Sequence, residues 1–245
     1  GVSGSLAGTA PGLQLYNLTA SSSGLTDGTL ALTVRPMVRR RSAACTLGAA
    51  TVTCAVTPTL TDISRTMLFF QATPNNGDSP SNDNVTCRLD PNGGAAQVVC
   101  DRAVNAANIS IEWQTVSFHY PYASGGVTVE HLTGGCTAAA AMTMPINTPV
   151  TNAPLAESFV LFSTRSTGAD NDGPHFFESR LTSSSNLQIL QSNGASTTCA
   201  VTMGFAAQVV AWAGATVSRG VTVGGPGASF TASQASVPGS PSFLL

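Results

Sequence analysis

The chain reads as all-β: two tandem antiparallel β-sandwich domains, of jelly-roll or immunoglobulin-like type, with extended N- and C-terminal strands. Three observations predict this. Short runs of apolar and β-branched residues recur along its length, separated by clusters of Gly, Pro, Asn and Ser. The segment joining one group of runs to the next occurs three times. Six cysteines stand apart from one another, with no CxxC spacing.

The strands are expected, in order, at Leu30 to Val34, Ala50 to Val56, Met67 to Phe70, Ile109 to Phe118, Phe159 to Phe162 and Gln208 to Trp212. Each is bounded by turn residues, and no longer window keeps a capped helical period. The Ala-rich stretch Thr137 to Met144 sits between Thr133-Gly134-Gly135 and Pro145, which favours an extended strand.

The joining segment runs from Val38-Arg39-Arg40 to Phe70, then from Val129-Glu130-His131 to Phe162, and starts again at Val217-Ser218-Arg219. Leu68-Phe69-Phe70 aligns with Val160-Leu161-Phe162, and Arg88-Leu89 with Arg180-Leu181, both 92 residues apart. Ile111-Glu112-Trp113 aligns with Val210-Ala211-Trp212 at 99, and Val129 with Val217 at 88. That assigns an 11-residue difference to the aromatic loop from Phe118 to Gly125. The expected division is an N-terminal strand segment (1–37), sandwich domains at 38–131 and 132–235, and a donor-like strand at 236–245. Trp113 and Trp212 are expected as core anchors.

Composition narrows the function. Charged residues are 9% of the chain, against about 25% in ordinary soluble domains. The ten basic residues are all arginine, and the net charge of −2 gives little electrostatic reason to bind nucleic acid or anionic lipid. No segment reaches the ~18 apolar residues of a membrane span. Asn17, Asn84 and Asn108 each open a glycosylation sequon, a weak signal in so Asn- and Thr-rich a chain.

The cysteine spacing favours a disulfide framework in an oxidising compartment over free buried thiols. Cys87 and Cys100 bracket Asp90-Pro91-Asn92-Gly93-Gly94, so they are expected to tie a hairpin. Cys45 and Cys54 bracket a short Gly-containing segment, which leaves Cys136 with Cys199. Disulfides imply export, and the expected location is extracellular or at the cell surface, with a leader removed.

The pattern Leu-Phe, Arg-Leu, Ile-x-Trp-Gln-x-Val-x-Phe is carried by Ile111, Trp113, Gln114, Val116 and Phe118, and in part by Trp212 and Ser218-Arg219-Gly220. It resembles tandem β-sandwich repeats of secreted bacterial surface proteins, themselves similar to H-type lectin-like sandwiches. The likeness covers about residues 60 to 225. It implies a sandwich fold and export.

No catalytic constellation is visible: His119, His131 and His175 lack metalloprotease spacing, and there is no GxSxG elbow or P-loop. The chain is expected not to be an enzyme and to need no cofactor. Asp78 and Asp83 lie in one Asn/Asp-rich loop, and Asp170 and Asp172 in its repeat counterpart. Their oxygens suit Ca²⁺ or a glycan, while the competing reading is an ordinary turn. Arg39-Arg40-Arg41 reads as a solvated face before a partner patch.

Phe243, Leu244 and Leu245 form an apolar strand with no evident partner, which suggests β-strand addition to a neighbouring subunit. The function expected is a structural subunit of an extracellular filament or surface fibre, with itself as partner. The alternatives are a secreted carbohydrate-binding module using Tyr120, Tyr122 and the Asp/Asn loops on a cell-surface glycan, and a β-sandwich virion coat protein.

Overall fold

A computed structural model describes residues 14–20, 28–34, 38–74, 84–103, 108–138, 145–167, 177–191, 199 and 201–217. Fourteen strands and no α-helix occur among them. β1 (Gln14–Ala20) and β2 (Gly28–Val34) form a hairpin. The first half then holds β3 (Val38–Leu47), β4 (Thr51–Ala55), β5 (Thr66–Pro74), β6 (Val85–Asp90), β7 (Gln97–Arg102) and β8 (Ile109–Phe118). The second half holds β9 (Val127–Cys136), β10 (Ile146–Pro149), β11 (Ser158–Ser166), β12 (Phe177–Ser183), β13 (Asn186–Gln191) and β14 (Met203–Trp212).

Each half consists of two three-stranded antiparallel sheets, and the strand orders correspond one to one. β3-β8-β5 matches β9-β14-β11, and β4-β7-β6 matches β10-β13-β12. The registers match as well. Leu68 faces Thr115 where Val160 faces Val209, and Arg88 faces Val99 where Arg180 faces Gln188. This duplication is physical rather than only textual.

Alternation decides what each strand buries. Along β8, Ile109, Ile111, Trp113 and Thr115 point inward, while Glu112 and Gln114 face out. Trp113, 2% exposed, joins Leu47, Leu68, Leu89 and Val98 in a core drawn from both sheets of the first half. A second core unites Leu181, Leu187, Ile189, Phe205 and Val209 from both sheets of the second half.

Three disulfides reinforce these cores, in the pairing the spacing suggests. Cys87–Cys100 links directly opposed residues of β6 and β7. Cys45–Cys54 ties β3 to β4, and Cys136–Cys199 ties β9 to the approach to β14. No two occupy matching positions: the counterpart of Cys87 is Ser179, and that of Cys100 is Ile189.

Register corrects the alignment around β14. Because Leu68 matches Val160, Thr115 matches Val209, so Gln114 corresponds to Gln208 and Phe118 to Trp212. Trp113 corresponds to Ala207, not to Trp212 as the sequence suggested. A Trp on a strand end resembled a Trp at mid-strand because each has a β-branched residue two positions before it, Val210 and Ile111. The loop difference is also smaller: Val129 lies eleven residues beyond the end of β8, and Val217 five beyond the end of β14. The boundary expected after residue 131 falls inside the unbroken β9.

Candidate functional site

The most elaborate polar and apolar construction among the described residues lies where the halves meet. It begins with the turn before β5. The Asp62 carboxylate accepts bonds from the Ser64 amide (2.9 Å) and hydroxyl (2.6 Å), and from Arg65 Nε (3.0 Å) and a terminal nitrogen (2.6 Å). Partial burial raises the Asp62 pKa, but bonds from Ser64 and Arg65 outweigh it and hold the carboxyl below its usual range. Arg65 also donates to the His119 carbonyl at 2.5 Å, tying the turn to the loop after β8.

This turn presents carbonyl oxygens to the second half. The Val129 amide donates to Ser64 O (2.7 Å), and His131 Nε2 lies 3.1 Å from Ile63 O and 3.0 Å from Thr66 O. Two carbonyl partners require that Nε2 carry the proton. The buried Nδ1 has no partner. Burial lowers the His131 pKa, against the opposing pull of the Ile63 and Thr66 carbonyls. The ring is therefore neutral.

Gln208 completes the joint. It is 7% exposed, and its side-chain amide spans the free edge of β5: Leu68 N donates to Oε1 and Nε2 donates to Leu68 O, both at 2.7 Å. One side chain thus stands in for a strand neighbour and satisfies two buried backbone groups. Around it Met67, Val127, Val129 and Val210 form an apolar cluster, with Phe118, Phe159, Leu161 and Trp212 packed against it. The Phe118 and Trp212 rings meet edge-on with centroids 5.3 Å apart.

The aromatic loop belongs to the same construction. Gly125, at φ 78°, closes its turn, and the Tyr122 hydroxyl donates to Glu157, whose other oxygen accepts from the Gly214 amide at 3.2 Å. The bond to Glu157, then desolvation and the carboxylate's charge, raise the Tyr122 pKa. Tyr122 is accordingly a tie between elements, while Tyr120 is half exposed beside His119.

Behind the joint lies a polar cleft of about 390 Å³ that includes Thr86, Arg88, Asp101, Thr133, Arg165 and Ala206. Arg88 is ion-paired to Asp101, which also accepts from Thr51 at 2.7 Å. Arg165 lies against Gly204, where a Cβ would stand 2.9 Å from its Nε.

Of the residues expected to matter, the six cysteines are in place as bonds. Asp78, Asp83, Asp170 and Asp172, together with Phe243, Leu244 and Leu245, lie outside the described residues. Among the described residues, no three of His, Cys, Asp and Glu gather to hold a metal, and no helix is long and apolar enough to cross a membrane. The arginine run is not uniformly solvated: Arg39 and Arg40 are exposed, but Arg41 is 7% exposed and donates to Ser117 Oγ (3.3 Å) and Thr59 O (3.4 Å). Its alternation with Arg40 along β3 turns it inward. Burial, then the charge of Arg39, lowers the Arg41 pKa.

Gln208 and Glu157 were given no site role by sequence, and His131 entered only as part of the joining segment and as a histidine without metalloprotease spacing. The available signal was the Gln at corresponding places in β8 and β14, which the misplaced Trp alignment hid. The chain matches no family model, no curated protein and no solved structure.

Proposed function

We propose that each pair of sheets is a β-sandwich domain, and that the chain is a structural element of an extracellular fibre or surface stalk in which such domains stack in series. The observation that carries this is a repeated backbone bond. Val129 N donates to Ser64 O at 2.7 Å, and Val217 N donates to Ala156 O at 2.9 Å. Ala156 is the counterpart of Ser64, as Val217 is of Val129. The second half therefore hands the chain on in the way the first half does, which is the logic of a linear array.

The joint supports the same reading. It spends a buried Gln, a half-buried His and an apolar cluster on fixing one half against the other, where a flexible linker needs none of these. Three disulfides suit an oxidising extracellular setting. Kinship with the secreted bacterial surface repeats remains part of the proposal. β-strand addition by residues 236–245 belongs to the same proposal and is tested by deleting that segment.

Scanning calorimetry of wild type and Gln208→Glu tests the serial reading. A carboxylate cannot donate to Leu68 O, so the variant separates one coupled unfolding transition into two. Two independent transitions in wild type, unmoved by the substitution, would overturn it.

A further inference from the structure

The joint uses one face of the second half and one edge of the first, and duplication supplies each half with both. The face is the outer side of β9-β14-β11, where Val129, Ala206, Gln208 and Val210 are buried. The edge is β5 with β6, through Leu68 and Arg88. In the first half the corresponding face, the outer side of β3-β8-β5, leaves Arg40, Ser42, Glu112 and Gln114 exposed. In the second half the corresponding edge is β11 with β12, carrying Val160 and Arg180.

The substitutions between these surfaces are complementary. Arg88 and Ala206 line one cleft, and Arg88 is neutralised by Asp101 within its own half. Register makes Arg180 the counterpart of Arg88 and Leu190 that of Asp101, so no acid stands at the Asp101 place; Glu178, the counterpart of Thr86, lies on the same face of β12 as Arg180 but is not ion-paired to it. Arg180 instead donates to Gln188 at 2.9 and 2.6 Å and stays exposed. Glu112 is the counterpart of Ala206, exposed and without an ion-pair partner among the described residues. The acid absent from the Asp101 place has a counterpart in Glu112 on the other face, at the position the joint would bring opposite Arg180. Gln114 keeps the amide that Gln208 uses.

We propose that the outer face of β3-β8-β5 docks the β11/β12 edge of a second copy of this chain, with Gln114 bridging the backbone of the copy's Val160 and Glu112 pairing with its Arg180. Such a contact is head-to-tail and does not close on itself. It rests on the serial-stacking reading and names its partner.

Sedimentation velocity on the full chain, up to roughly millimolar concentration at low salt, tests it. Wild type self-associates reversibly. Glu112→Arg and Arg180→Glu each weaken association roughly tenfold, and the double variant recovers it to within about twofold. Mixing the two single variants restores both junctions, one reversed and one native, and gives alternating association of the two variants. Association that is indifferent to both substitutions, or a double variant as weak as the singles, overturns the proposal. A monomeric wild type overturns it too, and makes the charged face of β3-β8-β5 a solvated end cap. If that monomer still unfolds in one Gln208-dependent transition, the serial stacking stands and only the docking of a second copy falls.

Discussion

Gln208 concentrates the joint's energetics in one side chain. Replacing it by Leu keeps the volume but leaves Leu68 N–H and C=O buried and unpaired. Each orphaned group costs about 1–3 kcal/mol, so Gln208→Leu should lose about 2–6 kcal/mol in urea unfolding. Gln114→Leu, on an exposed face, should change stability by less than about 0.5 kcal/mol in the monomer. His131 adds a pH response. Its pKa in the fold lies below the ordinary 6.5, so the unfolded chain takes up a proton first as pH falls. Stability is full above about pH 6.5 and declines from there down to the lowered value. The nearby Asp62 acts only at lower pH, below its ordinary 3.8. Melting temperatures of wild type should fall between pH 7 and 5, while His131→Gln should flatten that slope.

At the scale of elements, the disulfides and the loop after β8 carry separate loads. Cys136–Cys199 closes 63 residues and Cys45–Cys54 closes 9. Chain entropy makes the former worth about 4 kcal/mol and the latter about 2.5. Paired Ser substitutions at Cys136 and Cys199 should therefore cost more, by denaturant midpoint, than those at Cys45 and Cys54. In the loop, a Cβ on Gly126 would overlap the Tyr120 carbonyl. Gly126→Ala should displace the segment holding Tyr122 against Glu157 and weaken the joint without touching either core. Much of this scale was readable. Ile109 to Phe118 is a strand with the expected bounds, because buried residues alternate with exposed or half-buried ones from Ile109 to Thr115 and its flanks are polar. The hairpin between Cys87 and Cys100 was marked by its Asn-Gly-Gly turn. The joint was not readable, since a Gln in a strand looks solvated until a neighbouring edge is placed over it. Strand pairing, which no local pattern encodes, also separated Trp113 from Trp212.

Among the described residues the two halves meet through an asymmetric contact, edge on face, rather than a symmetric one. That geometry explains why corresponding residues differ in burial. Gln208 and Val210 lie under the preceding half, whereas Gln114 is exposed on the outermost face described. It also explains why the chain invests polar groups at the joint: directional hydrogen bonds fix an angle that apolar packing alone leaves loose. The central claim is that this angle is fixed. Amide residual dipolar couplings measured for strands of both halves in one weakly aligned sample test it most directly. One alignment tensor should fit β3 to β8 and β9 to β14 together, and Gln208→Glu should require two. Wild-type couplings that demand separate tensors for the halves would contradict the account.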